Sequence, residues 1–502
     1  MIFNKSAAER GNYKGVSFNF IKTNLEKDEK FANPDESNTI IDKKHANYSK
    51  INQGMVKKGT MIYKDDVVIG KIIELPKPTD HRTYRDNSVT YPYDEPAIVE
   101  GVTRAFDQDD EEFCKVKLGS VRTLGIGDKF CCSPDHEVLT SDGWISIDAI
   151  TMEHLVATLN NDGELEYRRP DNIYEFDHDD DIYKIDNTQI NLVTTLNHKM
   201  YTSLQKPKDK DDVSTYTLQE VNKLIGQKRY YKKNAINLQW DLDEWNIYAE
   251  RDNDNDWYFN TEKTMNAWIW LLGIYLSEGW VDNSGSIRIA THKQRVKDKL
   301  NEILPKLGLR YICYDTQPDH WYIRAIEGNC VSIARWFKSN CYRKINDEIA
   351  YIAGYKCLPS ECWYLGQSQC ELLIDALCLG DGYKDKRREN SMEYYTSSKY
   401  MADDFQRLCL HAGYACNVML KRKAGEQLQI NGNNTQRNFN SYRLNIIKGI
   451  NNLCPVFKHN EIFKEHYTGK VHCIEVPNHI FYIRNKGDKQ KCVWTGNSSR
   501  AG

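Results

Sequence analysis

The tail of the sequence reads "CVWTGNSSRAG", and its Asn497-Ser498 pair could do chemistry on the chain itself. An Asn side-chain amide can attack its own backbone carbonyl, close to a succinimide and cut the chain after itself. A Ser just beyond can accept an acyl group. Far upstream, Cys131 opens "CCSPDHEVL". A thiol beside its own upstream peptide bond can turn that amide into a thioester, and thiolate is the strong nucleophile among side chains. The step is uphill, so it needs a distorted scissile peptide and donors for the developing oxyanion. "TTLNH" offers Thr195 and His198 in a TxxH arrangement, His as acid/base and Thr as hydrogen-bonding partner. A second set is made of acids. "LLGIYLSEGW" and "LIDALCLGDGY" are apolar runs that each end in an acid followed by Gly, at Glu278 and Asp381. Small residues, Gly273 and Ala376, would let two such helices pack closely and bring the acids side by side. Two acids at helix ends can hold Mg²⁺, which activates water and stabilises a departing oxygen.

The elements that must position these groups change character along the chain. Residues 1–130 read as strands: "GTMIYKDDVVIGKIIELPKP" alternates β-branched and polar residues and stops at prolines. From Cys131 onward, short strand-like runs alternate with Asp-Gly and Asn-Asp-Gly turn signals, predicting an all-β unit of hairpins. Around 262–390 the pattern turns helical. Each acid-ended helix is followed by a strand and an amphipathic helix, predicting an internal α/β repeat of helix–strand–helix, twice. The β style returns from about 450, in "GKVHCIEVPNHIFYIRNKG". One β unit interrupted by another domain explains why its two parts share a texture. The 502 residues exceed one ordinary core, and roughly two to four domains are expected. Hydrophobic residues at 40% and charged residues at 28% fit a folded chain, as do 11 Trp and 31 Tyr. The net charge of −3 says nothing for or against nucleic acid, since a basic face can be balanced elsewhere. Fifteen Cys without repeated CxxC spacing argue against zinc and for buried thiols. No run is long enough to span a bilayer, and "MIFNKSAAERGNYKG" has no apolar signal core, so an intracellular protein of nucleus or cytoplasm is expected.

Taken together and in order, four stretches resemble the sequence blocks of an intein. "CCSPDHEVL" looks like its start, with Asp135 at the family's spacing from Cys131. "TTLNHKMYT" is similar to the second block. "VHCIEVPNHIFYI" looks like the block before the terminal strand, with His479 at its His, and "VWTGN" followed by Ser looks like the last block. The resemblance implies the self-splicing β fold shared with Hedgehog autoprocessing domains. It implies that Cys131 makes a thioester to Phe130 aided by Thr195 and His198, that Ser498 takes over the acyl group, and that Asn497 cyclises with His479 as proton donor. The sequence departs from the family twice: Gly496 stands where His is usual, and Cys473 where Asp is frequent. The vicinal Cys131-Cys132 pair suggests redox sensitivity, because oxidation would remove the nucleophile. The two acid-ended helices look like the motifs of LAGLIDADG homing endonucleases. "KCLPSECW" resembles the block between those motifs, implying Lys356 as a residue that polarises water or phosphate. The family's fold implies a β saddle on DNA, with basic residues of "THKQRVKDK", "KDKRREN" and "KRKAG" on phosphates, a Mg²⁺ cofactor and, as target, the intein-free allele of the host gene.

Joining "GIGDKF" to "SSRAG" gives a string that resembles the second-largest, β-like subunit of multisubunit RNA polymerases of eukaryotic or large-DNA-virus type. "NKSAAERGNYKG", "DDVVIGKI", "YRDNSV" and "KVKLGSVRTLGIGDKF" agree in order. This resemblance implies a subunit fragment with Met1 inside the subunit, Lys129 and Arg122 near the RNA 3′ end or incoming nucleotide, and other polymerase subunits, DNA and RNA as partners after splicing. The family usually has Lys at the Arg122 position. The expected domains are polymerase fragment 1–130, splicing part 131–245, endonuclease 246–445, splicing part 446–497 and host residues 498–502. The alternatives are a stand-alone endonuclease whose β parts bind DNA, and an autoprocessor that cleaves only at Cys131, which has no need of Asn497-Ser498.

Overall fold

Alternating β-branched and polar residues, broken by Gly and Asp turns, make the chain mostly β. The computed structural model describes residues 14–34, 40–79, 82–93, 96–107, 110–123, 132–196, 198–345, 348–349, 351–384, 391–430, 433–457 and 461–496. The chain divides into two compact units, Met1–Asp128 and Lys129–Arg500. In the first, the strands Lys14–Asn24 and Glu112–Thr123 pair antiparallel along their whole length. Val67, Val68, Ile69, Val116 and Leu118 form its core. Lys71 and Glu29 pair at 2.6 Å inside it.

In the second unit, strands from before residue 246 pair with strands from after residue 445. Asn172–Asp186 runs antiparallel to Ile462–Glu475 from Asn172↔Glu475 to Ile185↔Ile462. His136–Thr140 pairs with Ile480–Asn485, which in turn pairs with the last strand, Lys489–Gly496. Val138, Val156, Ile474, Phe481 and Val493 fill the space beneath.

The region between carries a repeat. The helix Glu262–Glu278 is followed by the strands Gly279–Val281 and Ile287–Ala290, the helix Gln294–Ile303, and the strands Leu309–Tyr314 and Gln317–Ala325. The helix Gln367–Asp381 is followed by Gly382–Lys384 and Ser391–Thr396, the helix Lys399–His411, and Ala415–Arg422 and Ser441–Ile447. In both halves the fourth strand inserts between the second and third, so the two sheets have the same order. The unit is therefore helix, hairpin, helix, hairpin, where the sequence pattern suggested helix–strand–helix. The missed strands are half-exposed and rich in polar residues, such as "QPDHWYIRA", which weakens their alternation.

The two parts of this unit share one sheet. The outer strand of the second repeat, Ala415–Arg422, pairs with the last strand from Asn417↔Lys491 to Met419↔Lys489. Leu410, on a helix of the repeat, packs in a core with Leu139, Tyr482 and Trp494. Arg484 is fully buried; its Nε donates to Glu137 at 2.7 Å, its Nη1 donates to Gln406 Oε1 at 2.6 Å, and its Nη2 lies 2.7 Å from Asp403. Gln406 and Asp403 belong to the helix Lys399–His411, so one buried cation ties the repeat to the β part. Among the described residues, no helix is long and apolar enough to cross a membrane, and every described cysteine except Cys313 is buried.

Candidate functional site

Cys132 is wedged between two strands. It exchanges both backbone hydrogen bonds with His472, each 2.9 Å, and forms an antiparallel bridge with Thr194. This fixes the chain one residue beyond Cys131 against the strand Asn191–Thr195. The tight turn after that strand brings His198 back, its N–H donating to the Thr195 carbonyl at 3.1 Å. Thr195 and His198 are both buried. The imidazole of His198 lies with Nε2 2.7 Å from the hydroxyl of Thr495 on the last strand. Burial, with a contribution from His136, pushes its pKa down to about 3. His136 is buried as well, its pKa brought down to about 4. Its Nε2 accepts the Val193 N–H at 3.2 Å, so its Nδ1 carries the proton and donates to the Ser133 carbonyl at 3.1 Å. Neutral imidazoles in such a pocket can take or give a proton without a standing charge.

Cys473 is buried next to His472. Burial, and the neighbouring Cys473, push the Cys132 thiol well up, so Cys132 is held as a thiol and not as a competing thiolate. His479 is exposed and lies in a turn with a left-handed backbone, φ 59°, its N–H donating to the Val476 carbonyl. It immediately precedes Ile480, the partner of Gly496, so it flanks the end of the last described strand. A Cβ on Gly496 would lie 2.6 Å from the Lys199 carbonyl oxygen and 2.5 Å from Leu218 Cδ2. The Gly in place of the expected His is thus a requirement of this close strand approach. Cys131, Asn497, Ser498, Phe130 and Lys129 lie outside the described residues. Arg122 sits on the strand Glu112–Thr123 opposite Gly15, and its side chain is likewise outside them.

The acid pair is assembled by helix packing. Thr261 caps the first helix, accepting from Thr264 N–H in a capping box. A Cβ on Gly273 would come 2.4 Å from Ala376 Cβ, and one on Gly380 would come 2.4 Å from Ser277 Cβ. Ser277 Oγ then donates across to the Leu377 carbonyl at 3.0 Å. Gly380 and Ser277 belong to the contact as much as Gly273 and Ala376, and the i+4 spacing of Ser277 from Gly273 and of Gly380 from Ala376 was the available signal.

Lys293 lies between the two acids, 2.5 Å from Glu278 and 3.6 Å from Asp381, and donates to the Gly380 carbonyl at 2.6 Å. Burial and the Glu278 charge raise the Asp381 carboxyl to about 6. Lys356 is buried and donates to the Tyr275, Leu276 and Gly279 carbonyls at 3.1, 2.9 and 2.7 Å. Burial brings its pKa down to about 8. Its three donors are spent on the end of the first helix, so here it holds Glu278 in position. Arg295 does the same for the second helix, donating to the Leu379, Gly380 and Gly382 carbonyls. A cation at each helix C-terminus also satisfies the helix dipole.

The basic stretch "THKQRVKDK" follows the strand Ile287–Ala290 directly. It starts the helix Gln294–Ile303, and Lys293, Arg295, Lys297 and Lys299 all have internal partners. Most of "KDKRREN" lies outside the described residues. Lys421 and Arg422 of "KRKAG" end the strand Ala415–Arg422, where Lys421 lies over the Tyr395 ring. Two carboxylates that share one cation could hold a divalent ion that takes its remaining ligands from water and phosphate, with Lys293 displaced from between them. No larger group of metal-ligating side chains exists among the described residues.

Residues 1–135 match the family model described as RNA polymerase Rpb2, domain 6. A DNA-directed RNA polymerase subunit beta C-terminal section from Stigeoclonium helveticum is 32% identical over 405 residues, covering 74% of this chain and 37% of the relative. An ATP-dependent Clp protease proteolytic subunit from Chlamydomonas moewusii is 29% identical over 314 residues, covering 58% and 28%. The DNA-directed RNA polymerase II subunit 2 of Arabidopsis thaliana is 30% identical over 141 residues, covering 26% and 12%. The chain spans well under half the length of these relatives. By the match over residues 1–135, the chain carries a fragment of an RNA polymerase second-largest subunit.

Proposed function

We propose that residues 131–497 are a self-splicing intein with an embedded DNA endonuclease, carried in that polymerase subunit. The observation that carries the reading is one buried cluster. Cys132 bridges Thr194, the next residue Thr195 accepts from the His198 N–H, and His198 Nε2 lies 2.7 Å from Thr495, two residues before Asn497, so one buried turn links the chain near both ends of the segment. A second support comes from the relatives. The Clp protease subunit matches 58% of this chain, a share too large to fall within residues 1–135. A polymerase subunit and a protease subunit thus share a likeness to the later part of this chain, as expected of a segment that moves between hosts.

The chemistry follows from the residues. Cys131 Sγ attacks the Phe130 carbonyl, and the leaving amide nitrogen takes a proton with His198 as acid/base and Thr195 as hydrogen-bonding partner. Ser498 Oγ displaces the thiol and holds the acyl group as an ester. Asn497 Nδ2 attacks its own carbonyl and breaks the bond to Ser498, whose freed amine gains a proton from His479. That amine, once deprotonated, attacks the ester, leaving a Phe130–Ser498 amide. In the joined subunit, Arg122 and Lys129 would offset phosphate charge at the RNA 3′ end, in contact with other polymerase subunits, DNA and RNA.

In the repeat, Glu278 and Asp381 would hold Mg²⁺, which supplies Lewis-acid activation of water when bound. Lys356 and Arg295 hold the two acid-bearing helix ends, and the paired sheets offer two related faces to a duplex. The target is the uninterrupted host gene, and the setting is intracellular.

Expression of the chain followed by intact mass tests the first part. Splicing gives a joined flank and a 131–497 segment, and Cys131→Ala with Asn497→Ala leaves precursor only. Splicing in that double variant sinks the assignment, and release of residues 1–130 without joining favours a cleavage-only autoprocessor. Failure of the purified protein with Mg²⁺ to cut a plasmid carrying the uninterrupted site removes the nuclease reading.

A further inference from the structure

The side chain of Thr495 touches two groups and has one proton to give. Its Oγ1 lies 3.6 Å from the Met200 sulfur and 2.7 Å from His198 Nε2. A thioether can only accept, so where the hydroxyl hydrogen points to sulfur the oxygen accepts from His198 Nε2–H. In that arrangement His198 carries its proton on Nε2. His198 Nδ1 is then a bare lone pair, and it is buried with no hydrogen-bond partner among the described residues. An unpartnered buried nitrogen is costly to maintain. It is held in the turn whose Thr195 carbonyl and Thr194 backbone lead directly to Cys132.

Thr495 is equally tied to the other end of the segment. It is fully buried on the last strand, opposite Met200 and Phe481, and is followed by Gly496 and then Asn497. The hydroxyl therefore joins the acid/base residue of the upstream cut to the strand that delivers the downstream one.

We propose that Thr495 is a positioning residue for splicing: by accepting from His198 Nε2–H it presents Nδ1 as the proton-accepting nitrogen for the Cys131 step. The proposal rests on the splicing reading. A valine would fill the same space with a methyl in place of the hydroxyl, and a serine would keep the hydroxyl without the methyl, so two substitutions separate packing from hydrogen bonding.

The test uses the full chain with Asn497→Ala, which blocks the downstream cut, and follows release of residues 1–130 by dithiothreitol. Thr495→Val is expected to slow release by about tenfold, the loss of one oriented buried hydrogen bond. Thr495→Ser is expected to stay within about twofold of the parent. A second readout is independent of rate: ¹⁵N-histidine NMR of the Cys131→Ala, Asn497→Ala chain should report His198 protonated at Nε2, and Thr495→Val should redistribute the proton between the two nitrogens. Release at the parent rate in Thr495→Val, equal slowing in Val and Ser variants, or an Nδ1–H signal in the parent would each overturn the role of Thr495. No thiol-induced release from the parent would instead overturn the splicing reading beneath it.

Discussion

Gly496 is the sharpest place to test the geometry, because a side chain there has nowhere to go. The added Cβ of Gly496→Ala meets Leu218 Cδ2 at 2.5 Å and the Lys199 carbonyl oxygen at 2.6 Å. The leucine can rotate away. The carbonyl cannot, because the strand Lys199–Ser203 is paired to the last strand at Met200↔Thr495. Overfilling a packed site costs about 1–3 kcal/mol. At tenfold per 1.4 kcal/mol, this lowers the population of correctly seated strand ends by roughly 5- to 150-fold. Gly496 is the last described residue before Asn497, so under the proposed splicing the cost falls on the downstream cut first. In an intact-mass time course, Gly496→Ala is expected to slow release at Asn497 within that range. Gly496→His, which restores the residue usual in inteins, is expected to be slower still. Leu218→Ala added to Gly496→Ala removes one of two clashes and should recover part of the loss. A Gly496→His chain that cuts faster than the parent, or full recovery by Leu218→Ala, would refute the argument from the carbonyl.

Arg484→Met removes the buried cation shared by Glu137, Gln406 and Asp403. Loss of about 3–5 kcal/mol is expected, and calorimetry should resolve separate transitions for the β part and the repeat. Burial holds the Asp404 carboxyl up at about 6. The folded state therefore binds an extra proton between about pH 4 and 6 and loses stability as pH rises through that window. Asp404→Asn, whose oxygen can still accept from the Leu358 N–H, should raise Tm at pH 8 and leave it nearly unchanged at pH 4. Lys293→Met leaves Glu278 and Asp381 without their common cation, so Mg²⁺ should raise Tm at lower concentration than in the parent. An unchanged Mg²⁺ dependence would show that the lysine does not compete for the acids.

The acid-ended helices were legible because a long apolar run with small residues at one spacing admits few alternatives to close helix packing. Gly273 and Ala376 meet as their size suggests. The second hairpins of the repeat were not legible, since half-exposed polar strands carry little alternation. The direction of the basic side chains from Lys293 to Lys299 was not legible for a related reason: charge along a sequence says nothing of direction, and here Lys293 and Arg295 reach carbonyls of the second helix end while Lys297 and Lys299 pair with carboxylates.

By itself, the sequence determined which groups could react, because nucleophiles, acids and bases are properties of residue type. It also determined the order of β and helical segments, because periodicity is local. Only the tertiary structure decided that Lys293 stands between the two acids, that Thr495 meets His198, and that Gly496 cannot be larger. Each of these depends on distances between residues far apart in the chain, and such distances are set by strand register and helix crossing, which local sequence does not encode.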